Sequence, residues 1–151
     1  MRDVPSKFAY GLAEAAVAAS RSKDPSTQVG AAIFDRSGRI VSKGYNGMPE
    51  GLEETAELWS KPTKHDWVIH AEVNAIANAA RTGASTLGGR MFITIPPCLE
   101  CSKAIVAAGI SEVFYSLKTT KEWLARSPQW EAPIHKAYHF LETCNVRVFA
   151  L

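Results

Sequence analysis

Cysteine is scarce in this chain: there are three in 151 residues, at positions 98, 101 and 144. So small and odd a number excludes a secreted disulfide scaffold and leaves metal binding or a buried thiol as the uses of sulfur. No stretch approaches the roughly 18 consecutive apolar residues that a membrane span requires. The start Met1-Arg2-Asp3-Val4-Pro5 is not followed by the continuous apolar segment of a secretory leader. A reducing, cytoplasmic setting without a membrane partner is therefore expected. A dominant charge sign is missing as well. Seventeen Lys and Arg face 15 Asp and Glu, for a formal net charge of +2, and no basic block recurs. Polymeric nucleic acid is thus a poor partner, and a small molecule a better one. Repeats, low-complexity tracts and composition shifts are also lacking, so residues 1–151 are expected to form a single domain. A chain of this length buries about two thirds of its unfolded surface and needs no metal merely to fold.

What is present is an alternation of short apolar runs and helical stripes. Phe8, Leu12, Ala15, Ala16 and Ala19 recur at helical spacing from Ser6 onward. Val29–Phe34 and Arg39–Tyr45, joined by the turn chemistry of Asp35-Arg36-Ser37-Gly38, predict a β-hairpin. Asn46–Trp67, with two glycines and two prolines, reads as a long irregular segment holding one helical turn at most. Ile69, Val73, Ile76 and Ala80 predict a helix stopped by Gly83, and Cys101, Ala104, Ile105 and Ala108 another stopped by Gly109. Met91–Ile95, Glu112–Tyr115 and Val146–Phe149 read as strands, and Pro133–Leu141 as a last helix, with Leu117–Glu131 unassigned. About five strands alternating with four or five helices argue an α/β sheet with helices on its faces.

Two pieces carry chemistry, each where a helix begins: His70-Ala71-Glu72 and Pro97-Cys98-Leu99-Glu100-Cys101. A helix N-terminus presents unpaired N–H groups and partial positive charge, which favour the thiolate that binds metal. Cys98 and Cys101, three apart on a first turn, can chelate one ion. His70 would complete the three protein ligands of a catalytic Zn2+, with the fourth position left to water. Such an ion lowers the pKa of its water from 15.7 to about 7, and Glu72 is the carboxylate placed to carry the proton. Because residues i and i+2 do not share a regular helix face, His70 and Glu72 must both lie at the first turn, where directions are not yet helical.

His-x-Glu followed by Pro-Cys-x-x-Cys is the signature of zinc nucleobase deaminases. The longer runs His70–Ile76, Pro97–Ile105 and Ala108-Gly109-Ile110, together with Lys23–Ala31 and Gly44–Pro49, resemble the deoxycytidylate (dCMP) deaminase family over roughly residues 7–115. The resemblance implies a cytidine-deaminase-like three-layer α/β/α sandwich with a central mixed sheet. It also implies hydrolysis of dCMP to dUMP and ammonia, with Glu72 protonating ring nitrogen 3 and then the departing amine. Asn46 is implied as the contact to deoxyribose, Ala71 and Tyr115 as further substrate contacts, and Lys23, Ser26 and Gln28 as phosphate candidates. The segment Gly44, Tyr45, Asn46, Gly47, Met48, Pro49 is associated in the family with activation by dCTP, with Mg2+, and inhibition by dTTP in a homo-hexamer. Ser116-Leu117-Lys118-Thr119, Lys121–Pro133 and Glu50–Lys64 depart from the family pattern.

Other readings compete. Cys-x-x-Cys alone suits a thioredoxin-like redox site, but His70 and Glu72 upstream favour the metal. Cys144, His65, His135 and His139 lack partners at ligand spacing and are expected at the surface or in the core, and the four tryptophans are expected only to bury area. Another deaminase substrate (dCTP, a 5-substituted dCMP, deoxycytidine, cytidine or transfer-RNA adenosine) is the enzymatic alternative. A zinc-stabilised binding module is the non-enzymatic one, and it would have no need of Glu72.

Overall fold

A computed structural model describes all residues, 1–151. Five strands form one mixed sheet in the order β2-β1-β3-β4-β5. They are β1 (Gly30–Phe34), β2 (Ile40–Tyr45), β3 (Arg90–Ile93), β4 (Glu112–Tyr115) and β5 (Arg147–Ala150). β1 runs antiparallel to both β2 and β3, whereas β3, β4 and β5 are parallel. The hairpin expected from Asp35–Gly38 is present, with Gly38 at φ 84°, a conformation that suits a residue without Cβ.

Alternation along the strands sorts side chains to two faces. Ala31, Ile33, Met91, Ile93 and Val113 form one core with Ala71, Ala75, Ile105 and Leu141. Those partners come from α3 (Ala71–Arg81), α4 (Leu99–Ala107) and α6 (Glu131–Thr143). Ala32, Phe34, Phe92 and Phe114 form the other core with Ala15 of α1 (Lys7–Ala19). The result is the expected three-layer sandwich. Ser6 caps α1 by accepting the Ala9 N–H at 3.1 Å.

Close approach of α3 to the sheet depends on Gly44. A Cβ there would lie 2.5 Å from the Ala71 carbonyl oxygen and collide with the Ala75 nitrogen. A bare α-carbon on β2 thus sets the height of the helix that begins at the metal signature.

Two segments depart from the sequence expectation. Leu117–Glu131, which showed no clear pattern, holds helix α5 (Leu117–Arg126), capped by Ser116 accepting the Thr119 N–H, and a 3-10 turn at Pro128–Trp130. α6 starts at Glu131 rather than Pro133. Pro133 is accommodated because N–H groups of a first helical turn have no intrahelical acceptor. The irregular Asn46–Trp67 stretch does contain one short helix, α2 (Lys64–Trp67).

Candidate metal centre and its cleft

The first-turn requirement on His70 and Glu72 is met by capping geometry. His70 is the N-cap of α3, with extended backbone at φ −68° and ψ 153°, so its side chain leaves the chain before helical directions begin. Glu72 lies inside the first turn. Cys98 is likewise the N-cap of α4, at φ −74° and ψ 172°, and its sulfur accepts the Cys101 N–H at 3.4 Å. Two helix N-termini thus present four functional groups to one place.

His70 Nδ1 lies 3.6 Å from Cys98 Sγ and 3.3 Å from Cys101 Sγ. All three donor atoms lie within 4.8 Å of one another. Tetrahedral Zn–N and Zn–S bonds of about 2.0 and 2.3 Å place nitrogen and sulfur about 3.5 Å apart, so the triangle has the dimensions a Zn2+ ion needs. One nitrogen and two sulfurs is also the donor chemistry zinc prefers. When bound, zinc supplies Lewis acidity and lowers the pKa of a coordinated water.

Of the three donors only Cys98 is poised as an anion, so Cys101 and His70 give up protons when a cation binds. Cys98 is drawn down to about 4, first by the hydrogen bond from the Cys101 thiol and, against burial, by His70 and the Cys101 N–H. Cys101 is pushed up as the thiol partner of that bond and by burial. The His70 imidazole is raised by its contact with Cys98, with burial opposing. Glu72 is 4% exposed, and burial pushes its carboxyl above the usual range although His70 pulls the other way. A carboxyl held towards neutrality beside a metal position can take up and return a proton.

His70, Ala71, Glu72 and Cys98 line a cleft of about 170 Å³ together with Asn46, Asp24 and Lys64. Asp24 and Lys64 form a buried ion pair, 4% and 5% exposed. Lys64 Nζ donates to both Asp24 oxygens and to Ser26 Oγ, each at 2.8 Å. Burial pushes the Asp24 carboxyl up, but hydrogen bonds from Lys64 and the Ser26 and Thr27 amides outweigh it and hold the group below its ordinary value. Asp24 Oδ2 also accepts from Asn46 Nδ2 at 3.3 Å, and Asn46 Nδ2 donates to the Thr27 carbonyl at 2.9 Å. Asn46 Oδ1 accepts the Val29 N–H at 2.8 Å. Both amide donors and one acceptor lone pair of Asn46 are therefore in use, which leaves the second lone pair of Oδ1.

The other expected site residues have these partners. Lys23 is an exposed partner of Glu54 at 2.9 Å. Ser26 serves Lys64, and the Gln28 side chain donates to the Asp24 carbonyl. These three, Tyr115, and the members of Gly44–Pro49 other than Asn46 are not among the residues lining the cleft. Sequence reasoning missed Asp24 and Lys64, forty residues apart, because nothing local marks a buried pair. It also assigned no role to Trp123 and Trp130, which line the cleft. The spacing of Leu117, Thr120 and Leu124 was the available sign of the helix that carries the first of them.

Such a centre, set on helix N-termini beside a mixed sheet, is the framework of the zinc-dependent deaminases. Residues 6–117 match the family model for the cytidine and deoxycytidylate deaminase zinc-binding region, and the chain belongs to that family. It is 44% identical over 117 residues to a probable deoxycytidylate deaminase of Drosophila melanogaster, covering 70% of this chain and 57% of the relative. It is 44% identical over 112 residues to the deoxycytidylate deaminase of Mus musculus, covering 70% and 62%. The chain thus matches about three fifths of the length of these curated relatives. Among solved structures it resembles the dCMP deaminase of cyanophage S-TIM5 in complex with dCMP and dUMP. That match has a TM-score of 0.64 and 28% identity, and it covers 87% of this chain and 85% of the other.

Proposed function

We propose that the chain, as one deaminase domain, hydrolyses dCMP to dUMP and ammonia with one Zn2+ held by His70, Cys98 and Cys101, supplying dUMP for thymidylate synthesis. The observation that carries this reading is the buried carboxyl of Glu72 beside a donor triangle of zinc dimensions in a cleft shared with Asn46. Similarity to deoxycytidylate deaminases, one of them solved with dCMP and dUMP, supports the choice of substrate.

Glu72 would carry two protons from the attacking water in turn, the first to ring nitrogen 3, where it stays in the uracil product, and the second to the leaving amine. Asn46 recognises the sugar as an acceptor only, through the free lone pair of Oδ1, so it takes a hydrogen bond from a sugar hydroxyl. Lys64 is committed to Asp24, and Lys61 and His65 are the other cationic or titratable side chains lining the cleft that can meet a phosphate. Buried Ala71 forms part of the floor near the metal ligands.

Regulation by dCTP with Mg2+ and by dTTP, and a hexameric assembly, rest on the family resemblance of Gly44–Pro49. A cytoplasmic setting suits two cysteines that must stay reduced to bind metal, and no helix is long and apolar enough to cross a membrane.

The test is ammonia release from dCMP, 5-methyl-dCMP, dCTP, deoxycytidine and cytidine, each with and without dCTP–Mg2+ and dTTP, beside light scattering for assembly. Turnover of dCMP is expected to lead the panel. Activity confined to deoxycytidine or dCTP would overturn the monophosphate reading.

A further inference from the structure

Helix α5 is unlike its neighbours. α1, α3, α4 and α6 each contribute side chains to one of the two cores, but α5 contributes to neither. Its packing is chiefly against the 3-10 turn that follows it. Yet α5 carries Trp123, a large apolar side chain only 8% exposed. Burying so much apolar area has to be explained by something other than the cores. Trp123 lies against Trp130, with ring centroids 5.9 Å apart and planes inclined at 33°. Both rings line the same cleft as His70 and Glu72, and Trp130 retains more open surface than Trp123. Both also lie beyond residues 6–117, the part of the chain that matches the family model.

We propose that Trp130, backed and oriented by Trp123, is the platform on which the substrate's planar base stacks, a binding element this chain supplies from its own C-terminal segment. The inference rests on the reading of the cleft as a nucleotide site. A π-face grips a planar ring without reading its hydrogen-bonding edge, which stays free for Glu72. Stacking of a base on an aromatic side chain is worth a loss of about 5- to 150-fold on alanine substitution. Because the ring is gripped equally in ground and transition states, the loss falls on KM and leaves kcat nearly unchanged.

Steady-state kinetics with dCMP should show Trp130→Ala raising KM within that range at near-constant kcat, with Trp130→Phe recovering most of it. In a variant carrying Trp59→Phe, Trp67→Phe and Trp123→Phe, dCMP should quench the remaining Trp130 emission saturably. An unchanged KM in Trp130→Ala, an equal defect in Trp130→Phe, or emission indifferent to dCMP overturns the platform. If the wild-type chain binds dCMP with quenching but releases no ammonia, the proposed reaction fails while the platform stands. Absence of both turnover and quenching sinks the two together.

Discussion

Replacing Lys64 by methionine is expected to cost about 3 kcal/mol of stability at neutral pH. The substitution leaves an unbranched side chain one atom shorter and removes the ammonium, with its charge and its donors, from a position 2.8 Å from both oxygens of Asp24 and from Ser26 Oγ. Breaking a buried ion pair from one side costs about 3–5 kcal/mol, because the remaining charge is left uncompensated. Asp24 keeps the Ser26 and Thr27 amides at 2.8 and 3.2 Å and Asn46 at 3.3 Å, which places the cost at the lower end. For a domain of this size, about 3 kcal/mol corresponds to a fall in Tm of about 6–12 °C and a urea midpoint lower by about 1–2 M. The pH dependence has a definite sign. In the native chain the Asp24 carboxyl is held below its ordinary value, so its contribution is present above that value and is lost as pH falls through the lowered one. Without Lys64 the carboxyl protonates at higher pH, which relieves the uncompensated charge. The gap between the two proteins should therefore be widest near neutrality and close below about pH 4. Urea denaturation followed by circular dichroism from pH 7 to pH 3 measures it. A neutral-pH difference under about 0.5 kcal/mol, or a gap that widens in acid, would refute the reasoning.

Glu72→Gln should keep zinc, measured by metal analysis, and abolish ammonia release, whereas His70→Ala or Cys98→Ala should lose the metal. An active Glu72→Gln protein would sink the proton-transfer role. Gly44→Ala should destabilise by about 1–3 kcal/mol in thermal denaturation, since its methyl group would meet the α3 backbone at Ala71 and Ala75. A neutral outcome there would mean that α3 can lift off β2 without cost. Glu112 lies opposite both Arg90 and Arg147 in strand register, and its oxygens meet them at 2.6 and 2.7 Å. Glu112→Ala should lower stability by about 1 kcal/mol through the two cross-strand pairs, and the loss should shrink in high salt.

The elements most legible in the sequence were those with local causes. Ser6 before an alanine-rich stripe marked α1, and the turn Asp35–Gly38 marked the β1–β2 hairpin. The pairing of His-x-Glu with Pro-Cys-x-x-Cys marked the metal centre. α5 was illegible because its surface is mostly Lys, Thr, Glu and Arg, and its apolar residues serve a cleft rather than a core, which blurs the stripe. The phosphate candidates Lys23, Ser26 and Gln28 came with a recognisable motif, and the structure adds what the motif does not spell out, that Ser26 and Gln28 hydrogen-bond around Asp24 and Lys64 while Lys23 pairs with Glu54. Asn46 was recognised as a residue, but only the structure shows that its amide is nearly saturated by Val29, Thr27 and Asp24.

The amino-acid sequence by itself singled out the candidate metal ligands and the class of chemistry. Chelation within one helical turn is a short-range property of spacing, and a scarcity of cysteine made the two at 98 and 101 conspicuous. Only the tertiary structure decided which side chains surround that centre. His70 reaches the two cysteines across 28 and 31 residues of chain, Lys64 reaches Asp24 across 40, and Trp123 and Trp130 come from a segment the signature does not contain. Such meetings are set by how α3, α4 and α5 are placed around one sheet, and packing of that kind leaves no periodic trace in the chain.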